Sequence, residues 1–255
     1  MSLRRLTASG VAAVALAGCV DLSTDPNEIV AIEFSQLPYP AVVIGDSLRD
    51  SLGVVAPLSG KLFNGAGDVA TKAKMTFFSL DTIVDLTASG VTVAHESVGT
   101  ARMLASGGGL QSAIRPLDTT LKPDTLVVDA SPDTLRLVIP DEATNVSGEF
   151  RLKLQSKSVA GGIVRSWVVG FRLRYKSVDI APTDTSLLYL ANESGRPSTA
   201  DTTDANGIVS RRVRFKVVPG QIPALDSVIV TAETRYRGVL VPGAPARMVV
   251  RVKPK

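Results

Sequence analysis

Phe171-Arg172-Leu173-Arg174-Tyr175-Lys176 alternates apolar and basic side chains without a break. A period of two sends one set to one face of an extended chain and the other set to the opposite face, the signature of a half-buried β-strand. Arg212-Val213-Arg214-Phe215-Lys216-Val217 repeats the pattern further along. In both stretches the apolar side is expected to line a core and the basic side to meet water, where Lys and Arg also discourage edge-to-edge aggregation. The competing reading is a face for anionic polymers, favoured where neighbouring strands align their basic residues.

Outward from these stretches, apolar residues come in short runs cut by Gly, Pro, Asn or Asp, the rhythm of a β-sandwich. Strands are predicted at 30–35, 41–44, 48–56, 74–80, 83–86, 91–94, 100–105 and 111–117, and then at 134–139, 148–154, 166–175, 187–191, 207–217, 227–236 and 246–252. None has helical length with a 3.6-residue stripe. Turns fall at Ile44-Gly45-Asp46, Phe63-Asn64-Gly65, Ala88-Ser89-Gly90 and Ser106-Gly107-Gly108-Gly109. The last lacks the following helix and Lys-Ser/Thr pair of a phosphate loop. Pro116, Pro123 and Pro132 lie in a stretch rich in Thr, Asp and Ser, which places a linker at 118–133 between sandwiches at 28–117 and 134–255.

Composition narrows the chemistry. The 255 residues include one Cys, one His and one Trp, too few for most zinc, haem or iron-sulfur sites, and no cofactor is expected. Aromatics are 5% and hydrophobics 45%, so the interior is built mainly from Val, Leu, Ile and Ala. Against 28 Lys and Arg stand 24 Asp and Glu, with no concentrated basic block, and no nucleic-acid partner is expected.

At the N-terminus, Arg4 and Arg5 precede an uncharged, mostly apolar run, 6–18, too short to span a bilayer comfortably. Leu16-Ala17-Gly18-Cys19 resembles the lipobox of bacterial lipoproteins. That resemblance implies a signal peptide at 1–18, with Leu16, Ala17 and Gly18 read by the signal peptidase, and a diacylglycerol on Cys19. Residues 19–27 then form a polar tether, and removal of the signal peptide takes Arg4 and Arg5 with it and leaves the mature chain close to neutral. Two or three acyl chains make attachment persistent. Val20, not Asp, follows Cys19, which leans towards the outer membrane by the sorting rule of bacteria with two membranes.

The body resembles bacterial immunoglobulin-like domains, the repeated sandwiches of intimin-type surface proteins. The resemblance rests on Thr202-Thr203-Asp204-Ala205-Asn206-Gly207-Ile208-Val209 and on 226–234, and in the first half on Gly45-Asp46-Ser47-Leu48, Phe77-Phe78-Ser79-Leu80-Asp81 and Gly99-Thr100-Ala101. The first half departs more: Phe77 or Phe78 stands for a central-strand Trp, and 65–71 is longer than the usual hairpin. Trp167 is expected in the core of the second sandwich. The resemblance implies a spacer or interaction module without cofactor or catalytic machinery.

Other constellations carry less. Asp201, Asp204, Asn206 and Gly207 miss the spacing of an EF-hand loop, and Asp204 and Asn206 are better used to build a turn. His95 beside Glu96 has no nucleophile elbow to serve. Asp141 with Glu142, and Asp81 with Asp85, are carboxylate pairs best explained as solvated loops. The expectation is therefore an all-β, lipid-anchored envelope protein of two immunoglobulin-like sandwiches in tandem, a structural spacer or an adhesion and protein-interaction module. Its partners would be the membrane, through lipid at Cys19, and an envelope or surface protein or glycan met by loop 192–206 or a sheet edge. The alternative is an envelope carbohydrate-binding protein or hydrolase on the same scaffold.

Overall fold

The structure, a computed structural model, describes residues 25–87, 89–95, 97–137, 145–216 and 226–254. Leu16, Ala17, Gly18 and Cys19 lie outside them, as do Glu96, Asp141 and Glu142. The first half contains β1 (Ile29–Phe34), β2 (Ala41–Val43), β3 (Gly60–Asn64), β4 (Thr76–Ser79), β5 (Val84–Leu86), β6 (Thr92–Ala94), β7 (Gly99–Gly107), β8 (Leu110–Gln111) and β9 (Arg115–Thr120). The second contains β10 (Thr125–Ala130), β11 (Thr134–Leu137), β12 (Phe150–Ser156), β13 (Gly162–Ile163), β14 (Val168–Tyr175), β15 (Val178–Ile180), β16 (Leu188–Ala191) and β17 (Ala200–Thr202). It is completed by β18 (Ile208–Phe215), β19 (Ser227–Glu233), β20 (Arg235–Tyr236), β21 (Val239–Leu240) and β22 (Ala246–Pro254).

The second half is a sandwich of two sheets, β10-β12-β18-β16 with β13 beside β12, and β11-β22-β19-β14-β15 with β17 beside β14. The alternating stretches occupy β14 and β18, and their apolar residues Phe171, Leu173, Tyr175, Val213 and Phe215 are buried. The rings of Tyr175 and Phe215 meet edge-on at 5.5 Å and tie one sheet to the other. In the first half the sheet β2-β9-β7-β4, with β8 beside β7, is accompanied by the two-stranded ladders β1-β3 and β5-β6. Met103, Ala101 and Leu117 of its central strands are fully buried. The described residues form an all-β fold of two sandwich bodies in tandem, immunoglobulin-like in outline.

Four local expectations change. Residues 48–56 are a reverse turn and not a strand: Asp50 Oδ1 accepts the amides of Leu52 and Val54 at 2.9 Å, and Gly53 takes φ +87°. Residues 111–117 are split between β8 and β9. The stretch 118–133 holds the end of β9 and all of β10, joined by residues 121–124. β10 hides from pattern reading because Val127 and Val128 are both exposed and a register shift follows Val128. Phe77 and Phe78 sit on β4, an edge strand, where Phe77 packs on Phe34 at 5.5 Å. Neither takes the place of a central-strand Trp.

Candidate functional site

A densely bonded polar cluster lies where the two sandwiches meet. From the first come the turn after β2 and the turn at 50–53; from the second come residues 165–168, which lead into β14, and the β20–β21 hairpin. Asp46 is buried at 7% exposure. Its Oδ1 accepts the Ser47 amide at 2.8 Å and Arg49 Nη2 at 3.0 Å. Its Oδ2 accepts Arg49 Nε at 3.0 Å, Arg237 Nε at 2.9 Å and the Tyr236 hydroxyl at 2.8 Å. Burial pushes the Asp46 carboxyl up, but the donors from Arg49, Arg237, Tyr236 and the Ser47 amide outweigh it and hold the group well below the usual carboxylate range. Burial and the bond to Asp46 push the Tyr236 phenol up to about 12.

An aromatic stack continues the contact. Tyr39 lies 4.7 Å from Trp167, and Trp167 lies 6.1 Å from Tyr236, centroid to centroid. The Tyr39 hydroxyl accepts the Val168 amide at 3.0 Å, and burial raises its pKa. On the far side of the stack, the Arg165 amide donates to Thr120 Oγ1 at 3.0 Å and Arg165 Nη2 donates to the Gly99 carbonyl at 2.6 Å. The Ser166 hydroxyl donates to Asp118. Backbone completes the fit: a Cβ on Gly53 would lie 2.1 Å from the Gly238 nitrogen, so only hydrogen lets the two turns touch. The cavity left among Tyr39, Asp46, Trp167 and Tyr236 is about 20 Å³, room for a single water. With Asp46 paired to Arg49 and Arg237 and little space left between the turns, this arrangement fastens two bodies.

The residues singled out from sequence are scattered. His95 Nε2 lies 3.0 Å from Asp85 Oδ2, both well exposed. Asp81 bonds the Arg102 guanidinium at 2.9 Å and its amide at 2.7 Å, which lowers its pKa and separates its task from that of Asp85. Asp201 accepts from Arg211 Nη1 at 2.8 Å and from the Ser210 amide at 3.0 Å. Asp204 Oδ1 accepts the amides of Asn206 and Ile208, each at 2.8 Å, and shapes the turn that Gly207 closes at φ +74°. A cleft of about 300 Å³ lies beside Phe171, Leu173, Ile180 and Tyr189, with Asp179 and Asp184 at its rim. Bonds from the Ser186 hydroxyl and amide hold Asp184 below the usual carboxylate range.

Trp167 was expected inside the second sandwich and instead sits between the two. Its partners Tyr39 and Tyr236 are remote in sequence, and no local pattern joins them; the only hint is that three of the few aromatics stand beside turn residues.

No protein-family model matches the chain, and neither does any curated protein. Solved structures similar to it include the Yersinia pseudotuberculosis adhesin InvE, at 14% identity and a TM-score of 0.33, over 84% of this chain and 56% of that one. The Escherichia coli adhesin FdeC is 13% identical with a TM-score of 0.33, over 91% of this chain and 66% of that one. Domains 4 and 5 of the S-layer protein SbsC are 15% identical with a TM-score of 0.31, over 88% of this chain and 98% of that one. This chain thus spans less than two thirds of either adhesin. Scores of this size carry no functional conclusion.

Proposed function

We propose that this chain is a lipid-anchored cell-envelope protein whose two immunoglobulin-like sandwiches form one stiff, non-catalytic rod, a structural spacer or the stem of an adhesive surface. The carrying observation is the junction: a buried carboxylate bonded from both bodies and an aromatic stack crossing between them. A flexible string of modules needs neither. Strand direction supports the reading. Gly108, at one end of β7, lies against Ile29 near the start of the first body, while Gly99, at the other end, meets Arg165 of the second. β22 leaves the junction side at Ala246 and ends beside Asp226 and Asp133. The described polypeptide therefore runs from one end of the two bodies to the other, which suits a spacer; we attach the lipid, through Cys19, at the entry end and take the outer membrane as the anchoring surface.

The test is metabolic labelling with radioactive palmitate, followed by fractionation of the envelope. Wild type incorporates label and sediments with outer membrane; Cys19→Ser loses both. Label retained by the substituted protein sinks the anchor.

A further inference from the structure

The second body carries basic residues in register: those of β11 and β22 pair directly, and those of β14 and β22 stand on either side of β19, which has no basic residue. Across the sheet β11-β22-β19-β14, Arg172 aligns with Thr231 and Arg247, Arg174 aligns with Ile229 and Val249, and Ser227 aligns with Arg251 and Thr134. Arg136 stands opposite Lys253. Their strand neighbours Leu135, Leu173, Val230 and Val250 are buried, so all six basic residues point to the solvent side. Alternate strands lie roughly 10 Å apart and alternate residues about 7 Å apart, which makes a two-dimensional array of positive charge.

Counter-charge is sparse. Glu233 meets Arg172 at 2.8 Å, and Asp179 stands 3.8 Å from Arg174. Asp133 and Asp226 lie at the far margin, and among the described residues no carboxylate is within ion-pair distance of Arg136, Arg247, Arg251 or Lys253. A groove of about 530 Å³ crosses the face, floored by Ile229 and Thr231 and flanked by Arg172, Arg174 and Arg247, with the paired carboxylates Asp179 and Glu233 on its wall. The outer face of the other sheet differs: Arg151 is held by Asp129 and Arg212 by Glu149, while Lys216 lies over the Tyr189 ring.

We propose that the β11-β22-β19-β14 face binds an anionic polysaccharide. Arg136, Arg247, Arg251 and Lys253 meet its acidic groups, and the hydroxyls of Thr134, Ser227 and Thr231 between them suit sugar hydroxyls. Single-stranded nucleic acid is disfavoured because no aromatic ring among the described residues stands on this face to stack a base; duplex DNA, held through its phosphates, does not need the hydroxyls between the cations. A membrane is disfavoured because the protruding side chains are chiefly charged and form no apolar wedge. The proposal depends on this face alone and survives loss of the lipid or of junction stiffness.

The experiment measures binding of the detergent-solubilised full chain, at physiological salt, to heparin, polygalacturonate, neutral dextran, double-stranded DNA and vesicles of phosphatidylcholine with phosphatidylglycerol. Retention on heparin or polygalacturonate but not on dextran is expected. R247S/R251S/K253S should weaken it by about tenfold or more and flatten its salt dependence, since each lost contact releases fewer counterions. K153S/R214S/K216S, an equal charge change on the other sheet, should weaken it by less than about threefold. Arg251→Glu alone gives the same direction should the triple variant fold poorly. No retention, equal weakening by both triples, or equally tight binding of DNA or vesicles overturns the proposal.

Discussion

Asp46 joins Arg49, three residues on, to Tyr236 and Arg237, 190 and 191 residues on, and its charge is what they share. Because its carboxyl has a lower pKa folded than unfolded, its contribution is fully present above the usual carboxylate value near ~4 and is lost as pH falls through the folded value. Asp46→Asn removes the charge and puts an NH2 donor where one of the two carboxylate oxygens accepts from Arg49, Arg237, Tyr236 or Ser47. It should cost about 2–3 kcal/mol at pH 7 in urea denaturation, since one partner of a buried, hydrogen-bonded charge is gone. Protonated Asp46 resembles Asn, so the gap between the two proteins should narrow in acid. A gap independent of pH would mean that shape and not charge closes the junction.

Turns do at the level of elements what Asp46 does among residues. The 50–53 turn and the β20–β21 hairpin touch because two glycines face each other, and Gly53 also holds φ +87°. Gly53→Ala adds backbone strain and a Cβ that collides with main chain, so the turns must part. The sole tryptophan, Trp167, reports the outcome: its buried indole should shift its emission to the red, and stability should fall by more than about 1 kcal/mol. Gly67→Ala is the control, with φ +85° and open space around the added Cβ; it carries the strain alone and should leave the emission unchanged. The strands with strict alternation, β14 and β18, were legible in advance because one face is dry and the other wet. β10 was not, because its apolar residues do not sort by face, and 48–56 reads as strand because Leu52, Val54 and Val55 are apolar residues that the turn leaves exposed. Apolar content without period does not tell a strand from a turn.

For the whole molecule, stiffness has a direct measure. Spin labels at Ala66→Cys, in the turn beyond β3, and Lys253→Cys, in β22, placed in a Cys19→Ser background, should give one narrow distance distribution. Adding Tyr39→Ala with Asp46→Ala should broaden it while each sandwich keeps its β-sheet circular dichroism. An equally narrow distribution after both changes would assign the stiffness to the short connection at 121–124 instead.

The all-β class, the turn at Asp204 and Gly207, and the basic side of β14 and β18 follow from sequence alone, because alternation and turn chemistry act between near neighbours. The place of Trp167, the five donors around Asp46 and the alignment of Arg172 with Arg247 were decided only by tertiary structure. Each depends on which distant strands pair and in what register, and register follows from burying whole faces together rather than from any single segment.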